Sequence, residues 1–138
     1  MFLLDTNIVS ELRKPKPNVG LMEWMQQTPS ECLFLSVITL GEIQKGIDLK
    51  KAKDPNFKPQ QHEEWLFQLT RMYKDRILPI DSMVAQAWGK TMAIDQRHAI
   101  DGLIAATAIV HKLSIVTRNT NDFESWAVDL INPFSDSR

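Results

Sequence analysis

The sequence predicts an α/β domain of three layers, with a mostly parallel sheet of about five strands between two layers of helices. Two observations predict this fold. Short apolar runs alternate with longer segments of helical periodicity, and several of these runs are followed by polar or acidic residues. With 138 residues, of which 43% are hydrophobic, the chain is long enough to bury one core. We therefore expect a single domain over residues 1–134 and a polar tail over residues 135–138.

Five apolar runs predict the strands of this sheet. Short runs of this kind, bounded by polar residues, are typical of strands that are buried on both faces. The third run contains Pro79, which has no amide hydrogen to donate, so we expect this strand at an edge of the sheet. The predicted strands are residues 2–4, 33–35, 77–80, 114–117 and 127–131.

Six segments between these runs predict helices, because their apolar residues recur at helical spacing. In the fourth segment, Met72 is expected on the same buried face as Leu69 and Tyr73. Residues 50–61 are polar and contain two prolines, which predicts an exposed loop. The predicted helices are residues 7–12, 19–27, 39–49, 62–74, 82–97 and 101–112.

Four carboxylates occupy positions that the predicted fold would bring to one edge of the sheet. Asp5 and Asp122 follow the first and the fourth strand. Glu42 lies about one turn into the third helix, and Asp101 opens the sixth. The carboxyl ends of parallel strands share one edge, where ligands bind. Four acids there would repel one another unless a cation lay between them, and a hard divalent cation such as Mg²⁺ is the natural occupant.

Each of these acids also has a structural explanation when it is considered alone. Asp5 can cap the first helix, and Asp101 suits the positive end of its helix dipole. Glu42 alone is typical of a solvent-facing helix residue, and Asp122 lies in a turn rich in Asn and Thr. Only their joint placement favours a metal site.

The charge balance bears on the partner. A net charge of −1 argues weakly against nucleic acid. Outside the four acids, however, 13 acidic residues remain against 16 Lys and Arg, and the basic residues occur in groups. Such groups can hold phosphates around a metal-filled centre, although a solvated surface is the simpler explanation of the charge alone.

Several other chemistries lack the residues that they need. The glycines form no phosphate-binding loop, no cysteine pair or His-x-x-x-His pair provides a zinc site, and no nucleophile elbow accompanies a serine. The single cysteine, Cys32, excludes an internal disulfide and suits the reducing cytoplasm, where we expect the protein. No apolar stretch approaches the roughly 20 residues that span a bilayer, so we expect no membrane partner.

At these motifs the chain resembles the PIN-domain ribonucleases, in particular the VapC-type toxins of bacterial toxin–antitoxin pairs. The likeness runs nearly end to end, as far as residues 132–134, and several separated motifs in the same order make it specific. The matching stretches are MFLLDTN (residues 1–7), LSVITLGEI (35–43), AIDGLIAATA (99–108) and IVTRNTNDF (115–123).

The resemblance implies a PIN-like fold in which the four acids named above are catalytic and bind Mg²⁺ or Mn²⁺. Some relatives carry a further acid where this chain has Asn119, so the resemblance leaves open whether one or two metal ions bind. It also implies a homodimer, inhibited by a cognate antitoxin whose tail occupies the acidic groove. Promoter DNA would be bound only through the antitoxin. The residues expected to line the pocket are Thr6, Asn7, Thr117 and Asn119.

The chemistry expected of such a site is the attack of water on phosphorus in line with the leaving oxygen, promoted by the metal. The products would carry a 5′-phosphate and a 3′-hydroxyl. Because this route does not use the 2′-hydroxyl, a preference for RNA must come from shape and from contacts to unpaired bases. The candidates for backbone contacts with RNA are Lys14, Lys16, Lys50, Lys53 and Arg118.

Three alternatives remain beside the ribonuclease. A phosphatase of the haloacid-dehalogenase type would need Asp-x-Asp after the first strand, where this chain has Asp5-Thr6-Asn7. A receiver-type phosphorylation switch would need an acidic pair there and a lysine after the fifth strand, and neither is present. A catalytically inactive PIN-like binding module is the third, and metal binding would distinguish it from the enzyme.

Overall fold

The structure is a computed structural model that describes residues 1–136, and its centre is a five-stranded sheet. The strand order is β3-β2-β1-β4-β5, and all four pairings are parallel. This confirms the predicted α/β architecture, and β3 lies at an edge as Pro79 predicts. The order differs from the 2-1-3-4-5 order of receiver domains, which removes that alternative. The strands are β1 (Phe2–Leu4), β2 (Leu33–Ser36), β3 (Ile77–Leu78), β4 (Ser114–Val116) and β5 (Leu130–Ile131).

Within residues 1–136, six helices lie on the two faces of this sheet. Short single turns of 3-10 helix precede β2 and β3, and another covers Thr120–Phe123 after β4. The helices are α1 (Thr6–Leu12), α2 (Val19–Gln27), α3 (Val37–Lys53), α4 (Gln60–Met72), α5 (Ser82–Ile94) and α6 (Ala99–His111).

The side chains of β1 show how the three layers arise, because successive residues of a strand point to opposite faces. Leu4 packs into one cluster, with apolar residues of α1, α2, α3 and α4. Leu3 packs into the other, with residues of α6 and the segment around Phe123. Both leucines are fully buried. Each face of the sheet therefore has its own core.

Several details of the predicted elements are wrong. Half of the predicted loop 50–61 is helical, since α3 continues to Lys53 and α4 begins at Gln60. Lysine and alanine favour helix, and Lys51 pairs with Glu63 of α4 at 2.8 Å. Met72 is 68% exposed rather than buried. The third strand covers only its first two predicted residues and the fifth only its last two, and the helix predicted to reach residue 97 ends at Ile94.

The packing of α5 against α6 positions the start of α6. Gly102 lies so close to α5 that a Cβ atom there would be 2.2 Å from Cε of Met92 and 3.4 Å from the indole of Trp88. The Trp88 indole also donates a hydrogen bond to the carbonyl oxygen of Ala99 at 3.1 Å. These contacts fix the first turn of α6, which carries Asp101.

The chain continues to make specific contacts past Phe134. Asn18 accepts a hydrogen bond from the Ser135 amide and donates one to the Ser135 carbonyl oxygen, each at 2.9 Å. The tail predicted for residues 135–138 thus begins against α2, and its last two residues lie outside the described residues. Within residues 1–136, no helix has the length and hydropathy needed to cross a membrane.

Candidate active site

Asp5 is the buried centre of the site. It directly follows β1 and is 5% exposed. One carboxylate oxygen accepts a hydrogen bond from the Thr6 amide at 2.8 Å, and the other accepts one from the Thr117 hydroxyl at 2.9 Å. Burial raises the pKa of Asp5, these two hydrogen bonds oppose the rise, and repulsion from Glu42 and Asp122 adds to it. The fold therefore buries a carboxylate whose negative charge is costly to remove from water. Two hydrogen bonds fix the positions of its oxygens.

Glu42 is held by the residue that follows Asp5. The Thr6 hydroxyl lies 2.5 Å from a Glu42 carboxylate oxygen and 3.1 Å from the Thr39 hydroxyl, which is fully buried. Thr6 begins α1, and both of its partners lie on α3. The hydroxyl therefore connects the end of β1 to the helix that carries the second acid.

Asp101 and Asp122 face each other across His98. The two imidazole nitrogens of His98 lie 3.9 Å from the nearest carboxylate oxygen of Asp101 and of Asp122. Burial raises the pKa of Asp101 to about 6, with further contributions from Asp5, Asp122 and Glu42, while His98 opposes the rise. His98 has φ 57° and ψ 57°, a left-handed conformation that is uncommon for residues other than glycine.

A network of neutral groups joins the first and the fourth strand. The Thr117 hydroxyl, besides donating to Asp5, accepts hydrogen bonds from the Asn7 side-chain amide at 3.2 Å and the Asn119 backbone amide at 3.0 Å. Asn7 also accepts a hydrogen bond from the Arg118 amide at 3.3 Å. Asn7 and Thr117 therefore support Asp5. Asn119 contributes its backbone amide to the network, and the residue itself is exposed.

The four acids lie at one edge of the sheet, where repulsion from Glu42 and Asp122 contributes to the raised pKa of both Asp5 and Asp101. Within residues 1–136, however, no three His, Cys, Asp or Glu side chains lie close enough together to hold a metal ion by themselves. An ion bound here would therefore need water or a substrate phosphate among its ligands. Mg²⁺ takes only one or two carboxylates directly and keeps several waters or substrate phosphate oxygens. The donors are all oxygen, which Mg²⁺ and Mn²⁺ prefer.

The five basic candidates do not form one group. Lys14 and Lys50 line a cavity of about 380 Å³ that also includes Thr6 and Glu42. Lys14 and Arg118 line a second, polar cavity of about 470 Å³, together with Asn119. The remaining two candidates, Lys16 and Lys53, are exposed and line neither cavity.

Sequence reasoning underrated some residues of the site. The position of His98, three residues before Asp101, indicates that it can lie near this acid. Its approach to Asp122 depends on the tertiary fold. Thr39 lies three residues before Glu42 and so on the same side of α3, which is a signal that helical spacing provides. No local signal indicates that Arg13 reaches His62 in the 380 Å³ cavity, because the two are 49 positions apart.

Comparison with known proteins gives the family. The sequence profile of the PIN domain matches residues 2–128. Toxin FitB of Neisseria gonorrhoeae is 35% identical, over 99% of this chain and 100% of its own length. VapC ribonuclease Y4jK of Sinorhizobium fredii is 33% identical, over 97% of this chain and 98% of its own.

Among solved structures, FitAB bound to an IR36 DNA fragment contains a chain that superposes on this one with a TM-score of 0.84. That chain is 33% identical, and the match covers 100% of this chain and 99% of the other. The match spans β1 to β4 and includes all four carboxylates, so the chain belongs to the PIN-domain family.

Proposed function

We propose that this protein is a Mg²⁺-dependent endoribonuclease and the toxin of a toxin–antitoxin pair. The observation that carries the proposal is the convergence of four carboxylates, led by the buried Asp5, at the edge of the sheet where β1 and β4 end. The site supports a cation because burial, together with repulsion from the neighbouring carboxylates, raises the pKa of Asp5 and of Asp101, and a cation would relieve that cost. The names of the similar proteins, toxin FitB and VapC ribonuclease Y4jK, support the substrate and the biological role.

In this proposal Asp5 is the principal metal ligand, since its oxygens are already oriented by Thr6 and Thr117. Glu42, Asp101 and Asp122 surround the same position, directly or through water. When bound, Mg²⁺ or Mn²⁺ supplies a Lewis acid that stabilises charge on the phosphate and makes water a better nucleophile. The site is complementary to a phosphodiester only in the presence of the cation, because four carboxylates alone would repel it.

The residues of the chain then position the reacting groups. The Thr6 hydroxyl fixes Glu42, and the Thr117 hydroxyl fixes Asp5, so neither acid has to reorient during the reaction. Burial and the neighbouring carboxylates raise the pKa of Asp101 to about 6 in the metal-free protein, so a bound cation would favour its charged form and relieve the repulsion. The P–O3′ bond breaks, and the fragments end in a 3′-hydroxyl and a 5′-phosphate.

We also propose a cognate antitoxin as the physiological partner and the cytoplasm as the site of action. The similar chain in the FitAB structure is bound, with its partner, to DNA. By analogy, promoter DNA would be bound through the antitoxin and not by this chain alone. A homodimer remains part of the proposal, and equilibrium sedimentation of the purified chain tests it.

The test of the nuclease proposal is cleavage of tRNA and of a matched single-stranded DNA by antitoxin-free protein. The reaction is compared in Mg²⁺, Mn²⁺ and EDTA. We expect cleavage of RNA that depends on the metal, and a loss of about 10³-fold in Asp5→Asn, whose amide keeps the shape and loses the charge. The matched control is Asp129→Asn, an exposed carboxylate beyond the C-terminal end of α6, which should cut as wild type does.

Full activity in folded Asp5→Asn, or equal cleavage in EDTA, would contradict the metal-site assignment. Mg²⁺ binding without cleavage of either nucleic acid would favour the inactive binding module. The phosphatase alternative receives no support from this fold, since Asn7 occupies the second acid's place and is engaged by Thr117 and Arg118.

A further inference from the structure

A groove of about 380 Å³ lies between α1, α3 and α4 and adjoins the carboxylate site, because Thr6 and Glu42 belong to both. Its apolar side is formed by Ile43 and Ile47 of α3 and by Trp65 of α4. A groove that continues from the metal site is a place where the remainder of a bound polymer can lie.

The charges of this groove are opposite in sign to those of the carboxylate site. Arg13, Lys14 and Lys50 line it, against the single carboxylate of Glu42. Lys14 is partly neutralised by Glu11 at 2.8 Å. Within residues 1–136, no ion pair links Arg13 or Lys50 to a carboxylate. The charges of Arg13 and Lys50 are therefore not neutralised by a carboxylate of the described residues, although Lys50 Nζ lies over the Phe57 ring at 5.7 Å from its centroid.

Arg13 is held in place by two aromatic rings. Its guanidinium lies over the Trp65 ring, 5.6 Å from the centroid, and donates a hydrogen bond to Nε2 of His62. An imidazole that accepts at Nε2 is neutral and carries its proton on Nδ1. The buried Nδ1 of His62 has no hydrogen-bond partner within the described part of the chain. Burial, followed by Arg13 and Lys50, lowers the pKa of His62, in agreement with the neutral form.

We infer that this groove is a nucleotide subsite, in which the RNA next to the scissile bond places a phosphate between Arg13 and Lys50 and a base against Trp65. The inference rests on the proposed ribonuclease function and names the residues that would hold the strand. Arg and Lys neutralise phosphate, and an aromatic ring with a stacked guanidinium offers a platform for an unpaired base. An acidic peptide would meet the same cations, so binding of the antitoxin here is the competing outcome.

The first experiment measures binding of a labelled single-stranded RNA of about eight nucleotides to the cleavage-deficient Asp5→Asn chain, over a range of monovalent salt. We expect Arg13→Gln and Lys50→Gln each to weaken binding and to reduce the slope of log K against log salt by about 0.7, the value for one lost phosphate contact. Lys90→Gln is the matched control, because Lys90 is exposed on α5 and lines no part of the groove. It should change neither the affinity nor the slope.

A second set of variants blocks the groove without removing any of its contacts. Gly46 lines the groove, and a Cβ atom there would meet nothing within 4 Å. Gly46→Glu adds a negative charge and should weaken RNA binding by about tenfold or more, whereas Gly46→Gln adds the same volume and should weaken it less. Gly89→Glu adds the charge on α5, again in open space, and should leave binding unchanged.

Cleavage kinetics with Asp5 intact separate this inference from the function on which it rests. Groove variants should raise KM by about tenfold and leave kcat within about twofold, as expected for lost substrate binding. If wild type cuts RNA and the groove variants have unchanged KM and salt slope, the subsite is wrong and the ribonuclease stands. If groove-dependent RNA binding occurs without any cleavage, the ribonuclease fails and the subsite stands. Loss of antitoxin binding alone, with RNA binding intact, would overturn the subsite in favour of a protein-docking groove.

Discussion

The two halves of the carboxylate site are built differently. Asp5 is 5% exposed and accepts two hydrogen bonds from within the domain, and the Thr6 hydroxyl holds Glu42 at 2.5 Å. The side chains of Asp101 and Asp122 are 25% and 37% exposed. Within residues 1–136 neither of these two carboxylates accepts a hydrogen bond, and each lies 3.9 Å from the imidazole of His98.

This difference shows that folding alone orients the carboxylates of Asp5 and Glu42 and leaves those of Asp101 and Asp122 partly exposed and without hydrogen bonds in the described part of the chain. Oxygens that are held by buried hydroxyls need no reorganisation when a cation arrives. Partly exposed acids at 3.9 Å from a histidine can move towards a metal or a hydrated phosphate at little cost. Substitutions in the first half should therefore affect metal affinity more strongly than substitutions in the second.

The largest effect is expected from Thr117→Val, which removes the buried hydroxyl beneath Asp5 and keeps its shape. Without this donor, the anionic form of Asp5 loses stabilisation, and Mg²⁺ affinity should fall by about 10–100-fold. Isothermal titration with Mg²⁺ measures the change. Thr107→Val is the control, because this fully buried hydroxyl donates to the Leu103 carbonyl oxygen instead. Equal losses in both variants would mean that the effect is general destabilisation.

Thr6→Val should have the next largest effect, since it releases Glu42 but leaves Asp5 with its Thr117 bond. We expect about a tenfold loss of Mg²⁺ affinity, close to the lower limit for a supporting residue. Thr6→Ser restores the hydroxyl and should restore affinity. Failure of serine to rescue would assign the effect to the packing of the methyl group.

Asp101→Asn should stabilise the metal-free protein by about 1 kcal/mol near pH 7.5, after allowance for the partial exposure of the side chain. Its pKa is 3.8 ordinarily and about 6 in the fold, so the native state binds more protons than the unfolded state between these values. The contribution of this group to the free energy of unfolding therefore falls as pH rises through that window.

Thermal melts of wild type and Asp101→Asn in EDTA should coincide near about pH 3, where the carboxyl is protonated in both states, and separate as pH rises. Saturating Mg²⁺ should reverse the order at neutral pH, because the variant has lost a ligand. An unchanged difference between the two proteins across the pH range would contradict the raised pKa.

The smallest effect is expected from His98→Asn, which keeps a residue that tolerates the left-handed conformation and removes the imidazole. Mg²⁺ affinity should change by less than about threefold, because the imidazole contacts at 3.9 Å are weak and solvated. Isothermal titration of His98→Asn and Thr117→Val with Mg²⁺ compares the two losses of affinity directly. A larger loss of Mg²⁺ affinity for His98→Asn than for Thr117→Val would mean that metal binding depends more on the half with Asp101 and Asp122 than on the half with Asp5 and Glu42.

The errors in the sequence-based prediction share one physical cause. The lysines near residue 50 are polar, and a polar run with prolines predicts a loop. A helix tolerates lysines on its exposed side, however, and Lys51 forms an ion pair with Glu63 of α4. The fifth strand was overestimated because Val128 is apolar, yet it packs beside the helix layer and not in the sheet ladder. Hydropathy predicts whether a residue is buried. Whether that residue lies in a helix, a strand or a loop depends also on the segments that pack against it in the folded chain.

The sequence by itself determined the order of strands and helices, the acids beside the strand ends, and the family motifs that contain them. These are local properties, since periodicity, helix caps and strand-end positions lie within a few residues. Only the tertiary structure decided which hydroxyl holds which acid, and that Arg13 meets His62 and Trp65 in a groove beside Glu42. Those contacts join residues 36 to 112 positions apart, and their geometry depends on how the helices pack on the sheet.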